Sequence, residues 1–157
     1  DGINYLMNKN KVDVIEGFGS FIDANHIKVE GKENITVETD KVIIATGSEP
    51  SSLPFIKLDG KRVITSTEAL DITDLPESMV VIGGGIIGCE LGSVYARLGT
   101  KVTVIEYLPR IVPGMDADIG KDLLRSLKKI GVKFNLNTGV NEVTNNGESV
   151  TIKATDK

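Results

Sequence analysis

The sequence predicts an α/β chain: a Rossmann-like βαβαβ unit with a parallel sheet and an antiparallel tail, preceded by a β-rich part. Three observations carry this. From Met79 to Leu136 short apolar strands alternate with helix-length amphipathic stretches. A G-x-G-x-x-G, made of Gly83, Gly85 and Gly88, follows the first of those strands and opens the first of those helices. Before Met79 the apolar residues mostly alternate with polar ones, as half-exposed strands do.

The first third reads as strands within VDVIEGFGSF, HIKVE and NITVETDKVIIATG, with Glu30-Gly31-Lys32 as a turn. Val42-Ile43-Ile44-Ala45, four apolar residues in a row, suits a strand buried on both faces. SEPSSLPF, with Pro50 and Pro54, reads as a crossover between units. Met79 to Ile82 is then a buried strand. A helix from about Ile86 to Leu98 carries Ile87, Leu91, Val94 and Leu98 on one stripe and stops at Gly99. Lys101 to Ile105 is the next strand. The second helix is started by Asp116 and Asp118, striped by Ile119, Leu123, Leu127 and Ile130, and ended by Lys128, Lys129 and Gly131. VKFNL follows as a strand, so the crossovers are expected to be right-handed. The tail, GVNEVTNNGESVTIKA, reads as an antiparallel hairpin turning at Asn146-Gly147.

Composition narrows the function. The chain has 157 residues, 40% of them hydrophobic, which suits a globular protein with a core. A formal charge of -4 and no evident Lys/Arg cluster argue against nucleic acid or an anionic membrane surface as partners. No apolar run approaches the roughly 20 residues that span a bilayer, and DGINYLMNKN has no secretory pattern and no initiator Met. The chain is therefore expected to be a fragment of something longer. Its one cysteine, Cys89, excludes an internal disulfide and a Cys-rich metal site, and reads as a small buried helix residue. Its one histidine, His26, reads as a surface residue with no acid at ligand spacing. No nucleophile, base and orienter can be assembled from these residues, and none is assigned as catalytic.

The glycines point to a dinucleotide. Gly83 serves the tight turn, Gly85 lets backbone approach a pyrophosphate, and Gly88 lets helix and strand pack closely. The helix N-terminus offers free N–H groups and the positive end of its dipole to the phosphates. Glu106, 18 positions after Gly88 at the end of the second strand, is placed to accept both ribose hydroxyls and to repel a 2′-phosphate, favouring NAD over NADP. Arg110, in the loop that follows, is the one residue favouring a 2′-phosphate. Glu90, read as an acid in the first helical turn, is accounted for by the helix dipole alone.

Several motifs in order, ATGSEP at 45–50, ITSTEAL at 64–70, LPESMVVIGGGIIGCELGSVYARLGTKVTVIE at 75–106 and FNLNTGV at 134–140, closely resemble the pyridine nucleotide-disulfide oxidoreductases. Within the family the likeness is to the branch that oxidises dihydrolipoamide. The resemblance implies an FAD domain interrupted by an NAD domain: residues 1–50 as the later part of the first FAD segment, and 51–157 as an NAD-binding domain incomplete at its C-terminal end. It implies flavin contacts at Gly19, Thr46, Gly47 and Ser48. It implies an NAD pyrophosphate loop of Gly83, Gly84, Gly85, Ile86, Ile87, Gly88, Cys89 and Glu90, with Glu90 towards the nicotinamide, Glu106 on the ribose and the Val140 main chain beside the adenine. It places the redox cysteines and the acid-base pair outside this chain.

The activity so implied is oxidation of dihydrolipoamide through a disulfide and FAD, with hydride passing to NAD⁺. The implied partners are a lipoyl domain of 2-oxo acid dehydrogenase complexes and a second copy in a homodimer. The implied location is the mitochondrial matrix, with bacterial cytoplasm as the alternative. Two other readings stand beside it: a related FAD/NAD disulfide reductase or NADH oxidase, and a non-catalytic NAD-binding module that senses redox state.

Overall fold

The computed structural model describes residues 2–157, which fall into two compact units, one ending at Ser48 and one spanning Glu49–Lys157. The first unit holds helix α1 (Gly2–Lys9) and strands β1 (Gly17–Phe21), β2 (His26–Gly31) and β3 (Ile35–Glu38), paired antiparallel in the order β1-β2-β3. The strand expected over VDVIEGFGSF starts only at Gly17, and the turn after β2 falls at Lys32-Glu33. Within this unit Val29 is the only buried hydrophobic side chain among the described residues, while Phe18 is 75% exposed. Such a sheet cannot cover its own apolar surface.

Two expectations fail in this unit. Val42–Ala45 forms no strand and is exposed, Ile43 at 91%. A strand buried on both faces needs neighbours for its N–H and C=O groups, and no strand among the described residues pairs with it. His26 does have an acid partner: Asp23, three residues earlier, accepts from its backbone N–H at 2.9 Å and lies 2.8 Å from Nδ1. That pair is an exposed turn device between β1 and β2.

The second unit is the expected βαβαβ. Strands β4 (Ser78–Ile82), β5 (Lys101–Ile105) and β6 (Lys133–Asn135) pair in parallel in that order, joined by α2 (Ile86–Arg97) and α3 (Ala117–Lys129). Met79 and Val81, Val102 and Val104, and Phe134 lie on one sheet face, packed with Cys89 and Tyr95 of α2 and Leu127 of α3. Both helices therefore cover that face. The other face is open at β4, where Val80 and Ile82 are 42% and 38% exposed, so β4 is buried on one side only and not on both.

Local chemistry sets the helix ends. Asp116 caps α3 by accepting from the Asp118 N–H at 2.8 Å. Gly99 and Gly131, at φ +106 and +95, end α2 and α3 in the same way. Thr100 N–H donates to Tyr95 O and Gly99 N–H to Ala96 O, and Val132 and Gly131 repeat the pattern on Leu127 and Lys128. Strands β7 (Thr138–Asn145) and β8 (Val150–Asp156) form the tail hairpin, turning at Gly147, φ +89.

The apolar stripe on α2 is not the buried one. Ile87, Val94 and Leu98 are 59%, 50% and 57% exposed; the side facing the sheet is Cys89, Gly92 and Tyr95. A Cβ on Gly92 would meet Val102 Cγ1 of β5 at 3.4 Å, an ordinary contact, and Tyr95 is held on that side by its hydroxyl, which donates to Ala69 O. On α3, Ile119 is likewise 61% exposed and Gly120 and Leu127 are buried. No helix among the described residues is long and apolar enough to cross a membrane.

Candidate functional site

The glycine turn links the end of β4 to α2. Gly83 adopts φ +106, open to glycine and strained for other residues, and its N–H donates to Ile105 O at 2.9 Å. Gly88 brings the helix onto that turn: a Cβ there would lie 2.2 Å from Gly83 O and 3.1 Å from Val81 Cγ1. Gly85 is the N-cap of α2 and differs from both, since a Cβ on it would meet nothing within 4 Å. The Ile86 and Ile87 amides, at the start of the helix, have no acceptor among the described residues. An open surface, free N–H groups and the positive end of a helix dipole fit a diphosphate.

Gly84, expected in the pyrophosphate loop, ties the turn to the end of β5 and to the loop after it. Its N–H donates to Glu106 Oε2 at 2.6 Å, and its carbonyl accepts from the Val112 N–H at 2.8 Å. A Cβ on Gly84 would lie 2.9 Å from Ile111 Cγ2 and 3.3 Å from Glu106 Cβ. The only signal in the sequence was a glycine in excess of the fingerprint. Nothing marked Val112, a buried β-branched residue held at φ +41.

Glu106 is 8% exposed, and its other oxygen accepts from the Leu108 N–H at 2.7 Å. A carboxylate has about four acceptor positions, so two remain for hydroxyl donors. Beside it, the Tyr107 ring packs 3.5 Å from the position of a Cβ on Gly139, with Lys157 Nζ 3.0 Å above the ring centre. Thr138 N–H donates to Glu106 O at 2.9 Å, which brings Gly139 and half-buried Val140 of β7 to the acid. Arg110 turns back on its own loop, Nη2 donating to Pro113 O at 2.6 Å.

Glu90 is exposed and is the fifth residue of α2, so it belongs to the second turn and the dipole account of it loses force. Gly19 lies exposed in β1 and Thr46–Ser48 in the irregular stretch after β3, with Gly47 at φ +81; no hydrogen bond among the described residues joins them.

Cys89 is buried, its Sγ 3.5 Å from Gly84 O. Burial, with the Glu106 charge adding to it, pushes the thiol up to about 11. The thiol then ionises more readily in the unfolded chain. Its contribution to stability is complete below about pH 8.5 and is lost as the pH rises towards the folded value. Labelling by iodoacetamide at about pH 8.5 is expected to be slow in the folded chain and fast in denaturant; equal rates would mean the thiol is accessible.

Strand, glycine turn, helix and strand-end acid define a βαβ unit of the dinucleotide-binding type. The profile of the pyridine nucleotide-disulphide oxidoreductases matches residues 1–157, and the chain belongs to that family. The mitochondrial dihydrolipoyl dehydrogenase of Schizosaccharomyces pombe is 45% identical over 155 residues, 97% of this chain and 30% of that protein. Among solved structures, LpdA from Mycobacterium tuberculosis superposes with a TM-score of 0.82 at 31% identity, covering 98% of this chain and 35% of that one. The water-forming NADH oxidase of Lactobacillus brevis, bound to NADH, superposes with a TM-score of 0.65 at 27% identity, over 87% and 33%. The chain thus spans about a third of the length of these proteins.

Proposed function

We propose that these residues belong to a dihydrolipoyl dehydrogenase, a flavoprotein that oxidises dihydrolipoamide and reduces NAD⁺, with 51–157 as part of its NAD-binding domain and 1–50 as part of its FAD-binding domain. The observation that carries the reading is the open backbone at Gly85 set beside the fixed carboxylate of Glu106. Likeness over nearly the whole chain to a dihydrolipoyl dehydrogenase supports the substrate. FAD, when bound, supplies the two-electron transfer between a dithiol and the nicotinamide.

The chain's own part is to bind and orient. The Ile86 and Ile87 amides take the pyrophosphate, Glu106 takes the ribose hydroxyls, and Gly139–Val140 with Tyr107 border the adenine. Cys89 keeps the helix close to the loop, and exposed Glu90 lies towards the nicotinamide. Gly19 and Thr46–Ser48 contribute a minor part of the flavin site. The apolar surface left open at Phe18, Ile43 and Ile44 fits a domain completed by residues beyond these. A lipoyl domain and a second copy are the proposed partners. The mitochondrial matrix is the proposed location, in keeping with the name of the yeast relative.

The test is a calorimetric titration of the chain with NAD⁺ and with NADP⁺. NAD⁺ is expected to bind more tightly, and equal affinities would overturn the role of Glu106. Gly85→Val is expected to abolish NAD⁺ binding with a stability change of about 1 kcal/mol or less, because a Cβ there meets no protein atom within 4 Å and the side chain built on it enters the space proposed for the pyrophosphate. Unchanged binding would make the loop purely structural. The similarity to an NADH oxidase favours a second reading. In the longer protein, NAD⁺-linked oxidation of dihydrolipoamide supports the first reading and oxygen-dependent oxidation of NADH the second.

A further inference from the structure

We propose that the exposed face of α3 docks a short acidic protein segment. Cations dispersed in the sequence come together there: Lys121, Arg125, Lys128 and Lys129 follow the i, i+4, i+7, i+8 spacing of one helix face and line a shallow groove with Leu124. This corrects the expectation of no cation cluster. Helix-dipole stabilisation accounts for Lys128 and Lys129 in the last turn but not for Lys121 and Arg125 in the middle. The Leu127 and Lys128 carbonyls at the helix end accept from the Val132 and Gly131 N–H groups and not from the lysines. Lys128 and Lys129 meet no acceptor among the described residues. Lys121 and Arg125 pair only with Asp118 and Asp122 of the same helix, in exposed contacts whose carboxylates an incoming acid can replace at little cost.

Size and charge select the partner. From Lys121 to Lys129 the face is roughly 12 Å long, at about 1.5 Å per residue, which matches about four residues of an extended peptide. The chain as a whole carries -4, so a membrane or nucleic acid large enough to reach beyond this face meets net repulsion, whereas a short segment meets four cations against the two carboxylates, Asp118 and Asp122, paired with them. Half-buried Leu124 between them adds a contact for an apolar side chain in the segment.

The experiment follows fluorescence anisotropy of a fluorescein-labelled peptide of three Glu-Glu-Leu repeats, titrated with the full chain at low salt. Saturable binding is expected, weakened roughly tenfold or more by Lys128→Glu/Lys129→Glu and by added salt. Lys57→Glu/Lys61→Glu makes the same change in net charge elsewhere and is expected to leave binding within about twofold. Should charge reversal disturb the helix by circular dichroism, Lys128→Gln/Lys129→Gln tests the same contacts. Absence of saturable binding, equal weakening by both pairs of substitutions, or preference for phosphatidylserine vesicles over the peptide would each overturn the proposal.

Discussion

Gly88→Ala is expected to cost the second unit about 3 kcal/mol or more of stability and to remove NAD⁺ binding with it. A single methyl group there has nowhere to go: it would sit 2.2 Å from a backbone oxygen, that of Gly83, and 3.1 Å from Val81 Cγ1. Backbone cannot swing aside as a flexible side chain can, so α2 must move off β4 and the glycine turn must open. Ordinary overpacking costs about 1–3 kcal/mol, and a clash with backbone belongs at or above the top of that range. The helix amides move with α2, so affinity falls together with stability. Denaturant unfolding of the chain beside Gly85→Val separates the two glycines. Equal stability for both variants would mean that the close approach of α2 to the turn is not needed for the fold.

Glu106→Ala is the second large effect, and it acts on fold and site together. The carboxylate accepts from the Gly84 and Leu108 amides, at 2.6 and 2.7 Å, in a place that is 8% exposed. Removing it leaves the buried Gly84 N–H without an acceptor, at a cost of about 1–3 kcal/mol, and takes away the group proposed to hold the ribose. Stability is expected to fall by that amount and NAD⁺ affinity by roughly a hundredfold, about 2.7 kcal/mol, with the preference over NADP⁺ lost. Glu106→Gln keeps one acceptor oxygen but sets its NH2 against either the Gly84 or the Leu108 N–H, so it should restore only part of the stability while admitting a 2′-phosphate. A Gln variant as selective for NAD⁺ as the unmodified chain would take discrimination away from the Glu106 charge.

Much of the site was readable before folding because the requirement at each glycine is local or nearly so. Gly83 must turn at positive φ directly after a strand, and Gly88 must approach the turn five residues behind it. The expected position of Glu106 follows from its place at a strand end. Val112 has no such signal, nor do the bonds of Gly84 to Val112 and to Glu106, because they arise only when the loop after β5 folds back and the Val112 N–H reaches Gly84 O. Contacts of that kind leave no period and no motif.

The sequence by itself determined the order of strands and helices from β4 to β8, the Asp116 cap, the glycine ends of α2 and α3 and the turn at Gly147, but not helix α1. These follow from φ preferences and hydrogen bonds among residues a few positions apart. Only the tertiary structure decided which side of α2 is buried, that Val42–Ala45 goes unpaired, and that four cations share one face of α3. Counting apolar residues along a helix favours Ile87, Leu91, Val94 and Leu98, yet how near a helix comes to a sheet depends on the Cβ atoms between them. At this interface Cys89, Gly92 and Tyr95 face the sheet, Tyr95 with its hydroxyl donating to Ala69 O 26 residues away, and Ile87, Val94 and Leu98 are left outside.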